Sequence, residues 1–419
     1  MLPIKRKFFS AIWRLKQGTV KCYYRAIKYL VEVLTEKHWL LDYLPTLTKK
    51  KEGVLLIRLD LIGDFVLWLD SAQAYRRLYP HKKITLAVNS ACVDLAKALP
   101  HWDEVLSVEM AALRENYIYR LLTLLKLRWR NFEVAIQPTF SREFVGDLVL
   151  RSSFAQERIG YAGDANNITI SLKTKTDSWY TTLVPNHPLQ IMELNINAHF
   201  VRKLGCEDFL SCTPNVPPLG ICLDTQQFNS SYIVVAPGAS WQPKMWPVHN
   251  FAQVIRQLVA QFKVHIVLCG GKSDQPICAE LAKLLGSLQI IDLSGKTTLT
   301  ELVEIIRDAK LVLTNDSAPT HLAAATHTPS VCILGGGHFK RFLPYQTEQH
   351  SNSALPTVIY QEIACYGCRW KCIYPVDGSQ AVQCISNIPD AAVYAACVQH
   401  LSPNPAGPYY LASTTTEAL

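Results

Sequence analysis

The chain has 419 residues, 49% of them hydrophobic and 18% charged. That is enough apolar material for two or three domain cores, and it excludes wholesale disorder. The net charge of +8 is uneven: residues 1–51 carry twelve Lys or Arg against three acids, while the rest of the chain is one charge negative. This distribution excludes a body that grips nucleic acid over a broad basic face.

Residues 1–50 interleave basic residues with Phe8, Phe9, Ile12, Trp13, Tyr23, Tyr24, Ile27 and Leu30 at spacings of three and four. The pattern predicts a basic amphipathic extension. It suits either docking on an anionic membrane surface or packing on the body with a solvated charged face. No stretch reads as a membrane span, and the N-terminus lacks the apolar core and cleavage site of a secretory signal.

From Gly53 the texture changes. Strands are predicted at 54–57, 84–88, 105–108 and 132–137, with helices at 65–79, 94–99 and 113–129 between them. The proline-rich stretch 213–229 reads as a linker. The alternation then restarts, with strands at 233–236, 264–269, 290–293, 311–314 and 331–334. Helices are expected at 250–262 (capped by Asn250), 275–285, 300–309, 320–326 and 388–401. Residues 402–419 form a Pro/Ser/Thr-rich tail expected to be disordered. Strands alternating with helices give parallel sheets covered on both faces. The expected organisation is a Rossmann-like domain at 51–212, a linker at 213–229 and a second Rossmann-like domain at 230–401, facing across a cleft. Such sheets bind ligands at the carboxyl ends of their strands.

Three segments at strand ends carry chemistry. Arg58-Leu59-Asp60-Leu61-Ile62-Gly63-Asp64 places a carboxylate at a helix start, where Asp64 serves either as a helix cap or as a general base. It is not the G-x-G-x-x-G of a dinucleotide site, which counts against an oxidoreductase. In Pro237-Gly238-Ala239-Ser240-Trp241-Gln242-Pro243-Lys244-Met245-Trp246-Pro247, Ser240 and Lys244 can donate to phosphate oxygens; the plain alternative is a surface loop with an exposed lysine. In Asn315-Asp316-Ser317-Ala318-Pro319-Thr320-His321, the N–H groups of Ser317 and Ala318 open a helix and form an anion site. Asp316 can orient them, and His321 either faces the same anion or is a core residue. There is no D-x-D to bridge a metal to a diphosphate.

The thirteen cysteines are mostly scattered singly in apolar runs, as in a reducing cytoplasm. Cys365, Cys368, Cys372 and Cys384 are clustered. They suit a structural zinc, an iron–sulfur cluster, or unmetallated thiols or a disulfide. Tyr366, Arg369 and Trp370 interleave with them as candidate substrate contacts.

Taken in order, these segments resemble glycosyltransferase family nine, the ADP-heptose–lipopolysaccharide heptosyltransferase family. Arg58 with Ile62-Gly63-Asp64 is similar to its opening pattern. Pro237 to Pro247 resembles its Pro-Gly-Ala-Ser…Lys-x-Trp-Pro, and Asn315 to Ala324 its Asn-Asp-[ST]-x-x-x-His-Leu-Ala-Ala. Arg158-Ile159-Gly160-Tyr161 is also similar to a family segment. Ala318 stands where many members have Gly, and Lys272 where some have Glu. The resemblance covers roughly residues 53 to 400. It implies a GT-B architecture with the acceptor side N-terminal and the nucleotide-sugar side C-terminal. It also implies an inverting, metal-independent transfer of heptose or a related sugar from a nucleotide-diphosphate donor, ADP-linked first, to a glycolipid or lipopolysaccharide-type glycan. Asp64 matches the base; Ser240, Lys244, Asp316, Ser317, Ala318 and His321 match the donor site. The expected location is the cytoplasm, peripheral on the inner face of the membrane. The competing reading is a non-catalytic nucleotide or glycan binder that keeps the fold.

Overall fold

The computed structural model describes residues 51–221, 231–349, 355–378 and 380–402. The basic extension at 1–50, the end of the expected linker and nearly all of the expected C-terminal tail lie outside these residues.

In chain order the elements are β1 (Val54–Arg58), α1 (Ile62–Leu78), β2 (Ile84–Asn89), α2 (Val93–Lys97), β3 (Glu104–Val108), α3 (Met110–Glu115), α4 (Tyr117–Arg128), β4 (Val134–Gln137), α5 (Phe144–Ser152), β5 (Glu157–Tyr161), α6 (Ile170–Asp177), β6 (Thr182–Val184) and α7 (Glu193–Lys203). After the linker come β7 (Tyr232–Ala236), α8 (Val248–Phe262), β8 (His265–Leu268), α9 (Gln275–Leu285), β9 (Ile290–Asp292), α10 (Leu299–Asp308), β10 (Leu311–Asn315), α11 (Ala318–Ala325), β11 (Ser330–Ile333), β12 (Thr357–Ile359), α12 (Gln383–Ser386) and α13 (Asp390–Leu401).

The strands form two six-stranded sheets, β3-β2-β1-β4-β5-β6 and β12-β11-β10-β7-β8-β9. Every pairing is parallel. The second order is the first repeated, so in each sheet the order in which strands are laid down reverses once, between β1 and β4 and between β7 and β10. This is the doubly wound topology, whose ligand site lies at the reversal. The inner strands β1, β2, β4, β7, β10 and β11 are buried along their whole length. Continuous Val/Ile/Leu runs are what a sheet covered on both faces requires. The fold is GT-B-like.

The chain divides into two compact units. One holds the described residues up to Leu59 with His81–Ser90 and Trp102–Asn186. The other holds Asp60–Pro80, Ala91–His101 and the described residues from His187 onward. The first has a core around Leu55, Ile57, Leu113, Leu148 and Trp179. The second has one core around Val235, Trp246, Phe251, Leu313 and Ile385. A further cluster there joins Leu67 of α1 to Ala324, Cys332, Leu343 and Tyr345. Helix α1 thus belongs to the same unit as the C-terminal sheet.

Two expectations change. The single helix predicted at 113–129 is two, because Asn116 interrupts it: its Oδ1 accepts from the N–H groups of Ile118 and Tyr119 at 3.1 and 3.0 Å and caps α4. Helix α8 starts two residues before Asn250, with Pro247 at the N-cap, so Asn250 lies inside its first turn.

Candidate active site

The loops after β7 and β10 meet at the reversal of the second sheet, and Asn315 stitches them together. Its Nδ2 donates to the carbonyl of Pro237 at 2.6 Å, and its Oδ1 accepts from the N–H of Trp246 at 3.0 Å. Trp246 is fully buried and donates its indole N–H to the Ile388 carbonyl at 3.0 Å. The loop from 237 to 247 is therefore pinned at both ends. Between the pins, a single 3₁₀ turn over Gln242–Lys244 raises Lys244.

Helix α1 begins after Leu61, which makes no side-chain cap bond; Asp64 is not the cap but the acid of the first turn, where the helix dipole favours a carboxylate. Gly63 lets this helix start lie close on α11. A Cβ added to Gly63 would stand 3.1 Å from Cδ2 of His321 and 3.9 Å from Cα of Ala318. The alanines of α11 serve the same close approach.

This packing gathers Asp64, Lys244 and Asp316. Burial pushes the Lys244 ammonium below the usual lysine range, while Asp316 and Asp64 pull it back up. Burial in turn pushes Asp316 up, opposed by Lys244. Three residues, one from the first turn of α1 and two from the loops after β7 and β10, thus share one electrostatic environment, two acids around one cation.

His321 is buried one turn into α11. Its Nδ1 lies 2.9 Å from the Tyr345 hydroxyl, and the two rings stack with centroids 5.9 Å apart and 15° between planes. Burial drives its pKa down to about 4, so it is neutral at physiological pH. At the head of α11, Ser317 is the N-cap residue with extended backbone, and its hydroxyl is 3.3 Å from the Asn315 carbonyl. Pro319 removes one donor from the first turn, leaving the N–H groups of Ser317 and Ala318 as the outward pair. Ser240 is exposed on its loop and makes no hydrogen bond to this group among the described residues. Tyr345 was not singled out from the sequence. A cavity of about 720 Å³ lined by His187, His199, Arg202, Lys203 and Glu207 shares no residue with the group.

The four late cysteines do come near one another. Burial pushes the Cys372 thiol up to about 11, reinforced by Cys368, Cys384 and Cys365. Burial and neighbouring thiols also raise Cys365, and burial raises Cys384, whose Sγ accepts from the N–H of Gly336 at 3.4 Å. All four are free. Among the described residues no group of three or more His, Cys, Asp or Glu is arranged to hold a metal ion. The expected structural zinc on these four residues therefore finds no support among the described residues.

The two parallel, doubly wound sheets are the fold of GT-B-like glycosyltransferases. The model of "Glycosyltransferase family 9 (heptosyltransferase)" matches residues 212–365, which contain Lys244, Asp316 and His321. Lipopolysaccharide heptosyltransferase 3 of Escherichia coli K12 is 27% identical over 283 residues, covering 65% of this chain and 79% of that protein. The structure is similar to that of E. coli ADP-heptose lipopolysaccharide heptosyltransferase II, with a TM-score of 0.60, 20% identity, and coverage of 83% of this chain and 98% of that one. It is also similar to TibC, an iron-containing dodecameric glycosyltransferase of enterotoxigenic E. coli, with a TM-score of 0.50, 16% identity, and coverage of 85% and 78%. The chain is thus similar to glycosyltransferase family 9 over residues 212–365, and to its heptosyltransferases.

Proposed function

We propose that the protein transfers heptose or a related sugar from an ADP-linked donor to a lipopolysaccharide-type glycan, with inversion and without a metal in the chemical step. The observation that carries this reading is the grouping of Asp64, Lys244 and Asp316 beside the start of α11. The acceptor hydroxyl attacks the anomeric carbon and its proton passes to the Asp64 carboxylate. The bond from that carbon to the diphosphate oxygen breaks, and its electron pair leaves with the nucleoside diphosphate. Charge developing there falls to Lys244, to the N–H groups of Ser317 and Ala318, and to His321. With Tyr345 donating to Nδ1, the neutral imidazole offers Nε2–H. Asp316 holds Lys244 and Ser240 stands on the donor loop. A single displacement inverts the sugar carbon. Lys244 and the helix start supply the charge that a D-x-D metal supplies elsewhere. The named activities of the relatives above support the ADP-heptose donor and the lipopolysaccharide acceptor.

In this reading residues 51–212 carry the acceptor side and 230–401 the donor side. The basic segment 1–50 docks the enzyme on an anionic membrane surface at its cytoplasmic face. Among the described residues no helix is long and apolar enough to cross a membrane.

The test is a thermal-shift panel with ADP, UDP, GDP and CMP on wild type and Lys244→Ala. A nucleotide at about 100 times its dissociation constant stabilises by roughly 2.7 kcal/mol. ADP is expected to raise the melting temperature of wild type and to do so much less in Lys244→Ala. A flat response to all four in wild type overturns the donor-site reading. Gly63→Ala provides a second check. Its new methyl presses on the His321 ring, so transfer is expected to fall about tenfold, because sub-ångström misplacement is felt at a reacting centre. Wild-type turnover by this variant would show that the contact with His321 is irrelevant to the chemistry.

A further inference from the structure

The segment between β12 and α12 was linked to the site from sequence only as a run of aromatic residues among cysteines. In the structure it lies on the glycine run that follows β11. The N–H of Gly367 donates to the Gly336 carbonyl at 2.7 Å, and that of Arg369 to the Gly337 carbonyl at 2.8 Å. Cys384 holds the same run from below through the N–H of Gly336. The glycines are required because aromatic rings lie directly on them. A Cβ on Gly335 would come 2.8 Å from Cη2 of Trp370, and one on Gly337 would overlap the indole itself.

Two consecutive non-glycine residues, Arg369 and Trp370, have φ of +54° and +62°. That left-handed conformation is strained for a residue with a Cβ and persists where the surroundings enforce it. Its result is the placement of one side chain. The Lys244 ammonium sits 4.2 Å from the centroid of the Trp370 ring. Trp241 and His338 meet the same indole edge-on at 6.1 and 6.3 Å. The buried indole Nε1 has no hydrogen-bond partner among the described residues. Trp370 is therefore not fixed by a polar contact of its own; its ring face is what the loop presents.

We propose that Trp370 is a positioning residue of the diphosphate site: its ring face holds the Lys244 ammonium in place for an anionic donor. The inference rests on reading Lys244 as the diphosphate ligand. Lysine is a point charge on a flexible four-carbon stem, and fixing it costs rotamer entropy when a ligand binds. An aromatic face that already orients the ammonium offsets part of that cost. It leaves the N–H groups directed away from the ring for phosphate oxygens. A cation–π contact of this kind changes an equilibrium by between about 3- and 30-fold.

The experiment is calorimetric titration of ADP into full-length wild type, Trp370→Phe, Trp370→Leu, Lys244→Ala and the Trp370→Leu/Lys244→Ala double variant, with steady-state transfer kinetics alongside. Trp370→Leu keeps an apolar filling on the glycines and removes the ring face. It is expected to weaken ADP binding by between about 3- and 30-fold and to raise the donor KM by a similar factor, with kcat at saturation within about twofold. Trp370→Phe keeps a ring and is expected to bind within about threefold of wild type. The double variant is expected to be no weaker than Lys244→Ala alone, because Trp370 acts through Lys244. Wild-type affinity in Trp370→Leu, with Lys244→Ala impaired, overturns the inference and leaves the donor-site reading intact. Losses that simply add also overturn it, since Trp370 would then contact the nucleotide itself. Wild-type affinity in Lys244→Ala overturns the diphosphate role of Lys244, and this inference with it. If Trp370→Leu does not fold, Trp370→Phe decides together with Trp370→His: loss of affinity in both despite retained rings would sink the idea.

Discussion

Asp64→Asn is expected to lower kcat by about a hundred- to ten-thousand-fold, the usual contribution of a positioned general base, while ADP binding at pH 7 stays within a few-fold of wild type. The substitution is nearly isosteric, and Asp64 is not the cap of α1, so little stability rests on it. The carboxylate has a second effect whose sign can be worked out. Burial holds the Lys244 pKa down, and Asp316 and Asp64 hold it up. Removing the Asp64 charge deletes one of the two upward pulls, so the Lys244 pKa falls further. In the proposed reading the ammonium binds ADP, so the alkaline loss of affinity in Asp64→Asn is expected to begin at lower pH than in wild type. Titration of ADP across pH 6–10 measures this, and single-turnover transfer at pH 7 measures the loss of base. A variant that turns over like wild type would remove Asp64 from the mechanism. A large fall in ADP affinity at pH 7 would make it a ligand-binding residue. A wild type that binds ADP but transfers no sugar would restore the non-catalytic reading.

The three site loops were legible because each joins a buried β run to a helix, and each concentrates glycine, proline and charge at that junction. The grouping of Asp64 with Lys244 was not. It depends on α1 packing on α11, which the small residues at Gly63, Ala318 and Ala324 permit but no local pattern announces. Tyr345 escaped for a related reason, and so did the contact of Trp370 with Lys244: each side chain reaches its partner from an irregular segment with no periodicity to read. The stretch from 144 to 203 shows how elements hide. Helix α5 is only nine residues long and buries Asp147 and Ser152 among its apolar residues, which makes it hard to read as a separate element. Helix α7 buries Glu193, Asn197 and His199 among its apolar residues, which blurs the same signal. Strand β6 has three residues, too few for alternation to register. The cysteines are legible as a cluster from their spacing, but the backbone N–H of Gly336 that Cys384 Sγ accepts is not.

Asp147→Ala is expected to cost the N-terminal sheet's unit about 3–5 kcal/mol, the scale for stranding a buried charge. Arg142 and Asp147 are both fully buried, 3.6 Å apart. The Tyr180 hydroxyl donates to Asp147 at 2.6 Å and lies 2.9 Å from Oε1 of Gln137. The Arg142 guanidinium lies 4.6 Å from the centroid of the Tyr180 ring and also pairs with Asp177. Burial raises the Asp147 pKa and Arg142 lowers it, and burial raises the Tyr180 phenol. Such a network holds only while every member is present. Alanine at 147 leaves a cation without its buried partner and a hydroxyl with one acceptor fewer. Asp177, partly open to water, compensates incompletely. Replacing both ends at once removes the charge problem, so Arg142→Met/Asp147→Leu is expected to be less destabilised than the two single variants summed. Chemical unfolding followed by the fluorescence of Trp179, which packs in this unit's core, reports the change where it occurs. An unfolding midpoint for Asp147→Ala equal to that of wild type would mean that Asp177 carries the whole charge balance. The Asp147 carboxylate would then be dispensable to the fold.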